Sequence, residues 1–169
     1  MSFGEKGETE NATLVEWTLD LNSGHATKRV LYDEHNIEFV RVREDRVGVK
    51  TRFGFGGIQN MADGGPKFYG IVKIDMFGRD EPKEIFFQPN RIGGEMIFVP
   101  RRGDSSLDKD GDDGYIMGFV YDETYGRSEL VIYDAKTMSQ DPVATILIPQ
   151  RVPYGFHATW LSEEEMGML

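Results

Sequence analysis

Three polar residues, Glu38, Glu95 and His157, recur at similar intervals along the chain and have side chains that suit a metal site. They are 57 and 62 residues apart, and each opens a short run with the composition of a β-strand. Imidazole is the commonest side-chain metal ligand, and a carboxylate that accepts from an imidazole N–H fixes its tautomer. Alternatively, the two glutamates are ordinary solvated residues at strand edges.

The runs around these residues predict two groups of four sequential strands. The first group is expected at 38–42, 51–58, 69–76 and 83–88, and the second at 95–100, 115–123, 128–136 and 143–149. A further strand is expected at 157–161. Four antiparallel strands repeated at this period are typical of β-propeller blades.

Three aspartates, Asp20, Asp75 and Asp134, mark a second register of the same repeat, at spacings of 55 and 59 residues. Each ends a strand-like run and precedes a turn, which predicts a hairpin. We expect an all-β protein made of a β-propeller fragment, with about two full blades and parts of two more. The first strand of a blade lies nearest the propeller axis. Glu38, Glu95 and His157 are therefore expected to point toward one central spot.

Composition limits the classes of partner. The formal net charge of −10 repels a phosphate backbone, so no nucleic-acid partner is expected. Without cysteine the chain has no disulfide and no thiolate metal ligand. No apolar run approaches the length of a transmembrane segment, which is about 18 residues or more. Residues 1–13 form a polar extension that fits neither a signal peptide nor an Arg-rich transit peptide.

The acidic run Asp108–Asp113 has some of the spacing of a calcium loop. The position that requires glycine holds Asp113, and the twelfth position holds Phe119 instead of glutamate. We therefore predict a solvated, mobile loop between strands and no calcium site.

Four motifs resemble the C-terminal part of carotenoid cleavage dioxygenases, with the strongest similarity to the plant-type members. The motifs are 93–100, 112–115, 134–138 and 151–157. The resemblance implies a seven-bladed propeller that holds one non-haem Fe(II) on its axis through four histidines. Glutamates orient three of those histidines. Residues 14–169 are then the C-terminal part of a single propeller catalytic domain.

The resemblance assigns roles to the three spaced residues. His157 corresponds to the last iron ligand, Glu95 to the glutamate that supports it, and Glu38 to the glutamate that supports the third ligand. The remaining histidines and the last glutamate lie upstream in the family. His25 and His35 match no ligand motif and are expected at the surface. This chain has Val40 where relatives usually have proline, which relaxes the backbone near Glu38.

The family activity implies an Fe(II)-dependent dioxygenase that cleaves a polyene double bond of a carotenoid or apocarotenoid with O2, giving aldehyde or ketone products. Phe156 is then a candidate for contact with substrate in an apolar tunnel, or alternatively an ordinary core residue. Because one ligand is matched, this chain alone is expected to be inactive. The alternative function is a truncated, non-catalytic propeller module that acts in interactions or is vestigial. Plastid and cytoplasm both fit, and peripheral membrane contact is expected through the upstream part.

Overall fold

The computed structural model describes residues 12–60, 67–101, 108–155 and 157–168, and β-strands form nearly all of its regular structure. In these four ranges a 3₁₀ turn, Glu44–Arg46, is the only helical element, and no helix there is long and apolar enough to cross a membrane. The strands are β1 (Leu14–Leu19), β2 (Ala26–Tyr32), β3 (Ile37–Arg41), β4 (Phe53–Asn60), β5 (Lys67–Asp75), β6 (Lys83–Phe86), β7 (Arg91–Gly93), β8 (Ile97–Pro100), β9 (Gly114–Asp122), β10 (Arg127–Asp134) and β11 (Ala144–Ile148).

Eight of these strands form two antiparallel meanders. In the first meander β3 pairs with β4, β4 with β5 and β5 with β6. The second repeats the order, because β8 pairs with β9, β9 with β10 and β10 with β11. Both predicted groups of four strands are therefore confirmed in the order that propeller blades have. Before them, β1 and β2 form the expected separate hairpin.

Strand β7 was not predicted, and it joins the two meanders. Its residue Gly93 lies opposite Phe68 of β5, and the whole of β7 pairs with residues 120–122 of β9. A three-residue strand carries too little alternation to be recognised in a sequence. Its pairing connects both meanders into a nine-stranded sheet.

The repeated aspartates cap the same kind of turn. In Asp20, Asp75 and Asp134, Oδ1 accepts a hydrogen bond from the backbone amide two residues later, which is an Asx turn. The donors are Asn22, Phe77 and Lys136, at 2.9, 2.8 and 3.1 Å. Burial raises the pKa of Asp75 and Asp134, but the hydrogen bonds outweigh it and hold each pKa below the usual range. The aspartate spacing thus reports a repeated hairpin.

The apolar core consists of two clusters, one on each face of β5, so β5 is buried on both faces. Ile71 packs in one cluster, between the meanders, together with residues of β4, β6, β8, β9 and β10. Val72 and Ile74 belong to a second cluster that includes Tyr32 of β2 and Ile37 of β3. Successive side chains of a strand point to opposite faces, so one strand serves both layers. Each fully buried aliphatic side chain contributes about 1.5–3 kcal/mol.

Two expectations about local structure are wrong. Residues 157–161 do not form a strand, because a strand requires a hydrogen-bonded neighbour and no described strand pairs with them. The strand expected from Glu95 begins at Ile97, so Glu95 lies in the connection between β7 and β8. Glu95 and His157 therefore lie in connecting segments outside the strands, whereas Glu38 lies in β3.

The acidic loop is more ordered than its composition predicts. The side chain of Asp108 is 7% exposed, and its carboxylate accepts hydrogen bonds from Arg43 and from the backbone amides of residues 111–113. Asp112 is also buried and pairs with the ammonium group of Lys73 at 2.6 Å. These two aspartates connect the loop to the rest of the chain, so the prediction of a solvated loop is wrong for them.

Candidate metal centre

The segment that leads to His157 is held against the second meander. The amide of Val152 donates a hydrogen bond of 2.9 Å to the hydroxyl of Ser128, which is almost fully buried on β10. The guanidinium of Arg151 lies 3.8 Å from the ring centroid of Tyr121 and 4.9 Å from that of Tyr154. This cation–π arrangement and the hydrogen bond fix the position of the segment that immediately precedes His157.

Glu95 reaches the same place from the connection between β7 and β8. Strand β9 holds that connection, since the amide of Gly94 donates to the carbonyl of Phe119 at 3.1 Å. The main chain at Glu95 also lies against Gly118, where a Cβ would come within 2.9 Å of the Glu95 carbonyl oxygen. The side chain of Glu95 is 2% exposed. Its carboxylate is therefore a buried charge in a defined position.

The structure brings Glu95 and His157 together. Oε2 of Glu95 lies 3.4 Å from Nδ1 of His157, slightly beyond the approximately 3 Å of a short hydrogen bond. The amide of Ala158 donates to the same oxygen at 2.5 Å. Oε2 of Glu95 thus faces both the imidazole of His157 and the backbone amide of the next residue. This arrangement suits a ligand whose ring orientation must be maintained.

Arg41 is a member of the site that the sequence analysis missed. Its Nε donates to Oε1 of Glu95 at 2.5 Å, and its Nη2 donates to the carbonyl of Ala158 at 2.9 Å. A buried carboxylate is costly without a cation beside it, and this arginine supplies the cation. Arg41 is 54 residues from Glu95 and 117 from Ala158, so no local pattern could reveal the contact.

Glu38 is placed differently from Glu95. It is exposed and lies opposite Gly57 in the pairing of β3 with β4. The register shifts between Glu38 and Arg41, and Phe39 has a φ of 54°, which is unusual for a residue other than glycine. The described residues include no hydrogen bond or ion pair from Glu38 to Glu95 or His157. The Phe39 ring instead lies edge-on to the His157 ring, with centroids 5.0 Å apart.

A cavity of about 160 Å³ lies beside His157 and Glu95. Most of its surface is apolar, and its walls come from β9 and from the segment before His157. Residues that line it include Ile92, Phe119, Val120, Val152, Pro153 and Tyr154. The predicted substrate contact Phe156 lies outside the described residues. The imidazole therefore borders a space suited to an apolar group.

The described residues can supply one ligand to a metal ion. With Nδ1 of His157 beside a carboxylate, Nε2 is the ring nitrogen that suits a metal ion. Among the described residues no group of three or more His, Cys, Asp or Glu is arranged to hold a metal. His157 therefore fits one position of a coordination sphere, and Glu95 fits the group that orients it.

The chain is similar to curated enzymes along nearly its whole length. It is 38% identical over 164 residues to a chloroplastic 9-cis-epoxycarotenoid dioxygenase of Arabidopsis thaliana, and 36% identical over 174 residues to a carotenoid 9,10(9',10')-cleavage dioxygenase of Crocus sativus. The alignments cover 97% and 96% of this chain, but 26% and 31% of the relatives. The chain thus spans about a quarter to a third of the length of these relatives.

Solved structures agree with the sequence relatives. A variant of apocarotenoid oxygenase from Synechocystis superposes with a TM-score of 0.76 at 28% identity, covering 89% of this chain and 30% of that one. A cobalt-substituted form of the same enzyme gives the same TM-score. The prediction of an all-β propeller fold is confirmed by these neighbours. The family model described as retinal pigment epithelial membrane protein (RPE65) matches residues 2–162. This chain therefore belongs to the RPE65 and carotenoid cleavage dioxygenase family.

Proposed function

We propose that this chain supplies part of the iron centre of an oxygenase that cleaves a double bond of a carotenoid or apocarotenoid with O2. In this proposal His157 is an iron ligand and Glu95 orients it. Glu38 supports a ligand that this chain does not supply. The observation that carries the proposal is the placement of a buried carboxylate beside Nδ1 of His157, at the edge of an apolar cavity.

The relatives support the reaction class. Two of them are described as cleavage dioxygenases that act on carotenoids, and a solved neighbour is described as an apocarotenoid oxygenase. A neighbour that accepts cobalt supports a site for a divalent metal. Ferrous iron suits imidazole ligands with open positions, and when bound it supplies a centre at which O2 and an alkene can react.

The protein's own residues have separate tasks in this chemistry. The carboxylate of Glu95 lies 3.4 Å from Nδ1 of His157, where it favours the tautomer that carries its proton on Nδ1 and leaves Nε2 for the metal. Arg41 offsets the charge of that carboxylate inside the protein. The apolar walls at Phe119 and Tyr154 suit contact with a polyene. Phe156 stays a predicted substrate contact.

The experiment compares His157→Ala with the wild type in the full-length gene product. The protein is loaded with Fe(II) without oxygen and then mixed with an apocarotenoid in detergent and air. Loss of the polyene absorbance measures cleavage, and a chromogenic chelator measures bound iron. We expect oxygen-dependent cleavage by the wild type, and loss of both cleavage and part of the iron in His157→Ala.

A matched control is His25→Ala, because His25 is exposed in a turn distant in sequence from the site. That variant is expected to cleave at the wild-type rate. Unchanged cleavage and iron content in His157→Ala would show that the ligand assignment is wrong. A wild-type protein that binds Fe(II) but leaves every tested carotenoid intact would favour the non-catalytic module.

The compartment and the membrane contact stay proposals. Among the relatives, a 9-cis-epoxycarotenoid dioxygenase and a probable carotenoid cleavage dioxygenase of Arabidopsis thaliana are described as chloroplastic. These descriptions support the plastid as one of the two proposed compartments, beside the cytoplasm. Peripheral membrane contact through an upstream part remains a prediction.

A further inference from the structure

We infer that Arg41 is a positioning residue of the metal centre, which orients His157 through Glu95 and through the backbone of Ala158. This inference rests on the proposed function, because it treats His157 as the ligand. It assigns a task to a side chain outside the histidine and glutamate set. Arg41 is bonded to Glu95 and Ala158 and is not among the residues that line the cavity beside His157, so we expect its effect to pass through the groups it holds.

Arg41 joins three separate segments of the chain. It ends β3, the first strand of the first meander, and its guanidinium reaches the connection before β8 and the segment after β11. The three segments carry Glu38, Glu95 and His157. The chain at 157–161 pairs with no strand among the described residues, and side-chain hydrogen bonds with Arg41 and Glu95 hold it at Ala158. The bond from Arg41 to the Ala158 carbonyl is one such contact.

The two oxygens of the Glu95 carboxylate are used separately. Arg41 occupies Oε1, and this leaves Oε2 for the amide of Ala158 and for Nδ1 of His157. The rigid fork of a guanidinium matches such planar acceptors and can serve two of them at once. Arg41 thereby determines which carboxylate oxygen faces the imidazole.

Burial makes this arrangement dependent on the arginine charge. The Glu95 side chain is 2% exposed, whereas that of Arg41 is 31% exposed. A carboxylate in such surroundings that loses its cation must rotate toward water or draw water inward. Each of these outcomes changes the carboxylate oxygen that faces Nδ1 of His157. A change in the direction of the ring then follows without any change in His157 itself.

The test uses the full-length gene product loaded with Co²⁺, whose visible absorption reports coordination geometry. Arg41→Met removes the charge and the fork, and we expect the metal dissociation constant to rise about 10–100-fold and the cobalt bands to change. Arg41→Lys retains a positive charge but has no fork. We expect it to restore part of the affinity while its cobalt spectrum still differs from the wild type.

A double variant tests the route through Glu95. If Arg41 acts on the metal through this carboxylate, Arg41→Met combined with Glu95→Gln should lose less affinity than the sum of the two single losses. Fully additive losses would contradict the proposed route. The control is Arg52→Met, because Arg52 also pairs with a fully buried carboxylate, that of Asp75, but does so at a hairpin turn. It should lower the melting temperature and leave the cobalt spectrum unchanged.

The outcomes separate this inference from the proposed function. If His157→Ala weakens Co²⁺ binding while folded Arg41→Met and Arg41→Lys bind it with wild-type affinity and spectrum, Arg41 has a purely structural role and the inference is wrong. If His157→Ala itself binds Co²⁺ as the wild type does, the proposed function fails first. Should Arg41→Met not fold, the spectrum of Arg41→Lys decides.

Discussion

At the scale of single residues, the site depends on a buried carboxylate whose two oxygens both have polar partners. Glu95 receives hydrogen bonds from a guanidinium and a backbone amide, and its second oxygen also faces an imidazole. Buried charges persist in proteins when such partners offset the cost of removing water. The carboxylate therefore links the charge of Arg41 to the ring of His157.

Replacing Glu95 by glutamine tests this link. Glu95→Gln retains the shape but loses the charge, and its amide nitrogen cannot accept from His157 or from the Ala158 amide. We expect iron retention to weaken about 10–100-fold. Equilibrium dialysis against a ferrous chelator measures it. The control is Glu129→Gln, since Glu129 is equally buried and also paired with arginines, Arg91 and Arg127. Equal iron loss in both variants would mean that general destabilisation is the cause.

At the scale of elements, β9 organises the site although it supplies no ligand. It pairs with β7, β8 and β10, and it lies under the connection that carries Glu95. Its residue Gly118 permits that close approach, because a Cβ there would come within 2.4 Å of the Met96 sulfur and 2.9 Å of the Glu95 carbonyl oxygen. A strand with a side chain at this position could not hold Glu95 where it is.

Gly118→Ala is therefore expected to weaken metal binding from a distance. The methyl group displaces the Glu95 main chain, which lengthens the contact between the carboxylate and His157. We expect a loss of iron affinity of about tenfold, because supporting groups of a ligand typically contribute that much. Gly70→Ala is the matched control, since its Cβ would meet the carbonyl oxygen of Ile85 at 2.4 Å in the pairing of β5 with β6. Both variants should lose stability, but iron affinity should fall in Gly118→Ala alone.

At the scale of the whole molecule, buried polar contacts join the two meanders in addition to the apolar core. Lys73 of β5 donates to Asp112, which precedes β9, and to the carbonyl of Ala135, which follows β10. Its ammonium group also lies 4.1 Å from the ring centroid of Phe53. Burial lowers the pKa of Lys73, while the bond to Asp112 opposes that effect. The ion pair of Lys73 with Asp112 thus joins the two meanders.

Stability is expected to fall in acid. Burial raises the pKa values of Asp75, Asp108 and Asp134, but hydrogen bonds from backbone amides and side chains, together with nearby arginines, outweigh it. Each pKa is therefore lower folded than unfolded. The folded state then binds fewer protons. Its stabilisation is complete above the ordinary carboxyl pKa of about 4 and is lost as the pH falls through the lowered values. The melting temperature, measured from pH 7 to pH 3, should drop below pH 4. It should drop less steeply in Asp75→Asn, and an equal slope would contradict this assignment.

The 169-residue chain, expressed alone, is expected not to cleave carotenoids. The family resemblance implies four histidine ligands, whereas His157 is the one histidine here that matches a ligand motif. Neutral imidazoles bind ferrous iron modestly, so one of them cannot retain it against solvent. The check is to add Fe(II) and a carotenoid in detergent and to follow the polyene absorbance. Sustained turnover with stoichiometric iron would show that the chain needs no further ligands.

The sequence by itself determined the parts of this protein that depend on neighbouring residues. Alternation with a period of two residues identified the strands of both meanders, and Asp75 and Asp134 marked their hairpins because an Asx turn is formed within a few residues. Four motifs, the last of which ends at His157, carried the family resemblance, which the comparisons confirmed.

The tertiary structure alone decided how these parts meet. It showed that Arg41 holds Glu95 and Ala158, that β7 connects the meanders and that 157–161 lacks a strand partner among the described residues. Among the described residues it also showed no hydrogen bond or ion pair that joins Glu38 to Glu95 or His157. The physical reason is that these contacts join residues far apart in the chain, where burial and charge compensation select a partner that no local pattern encodes.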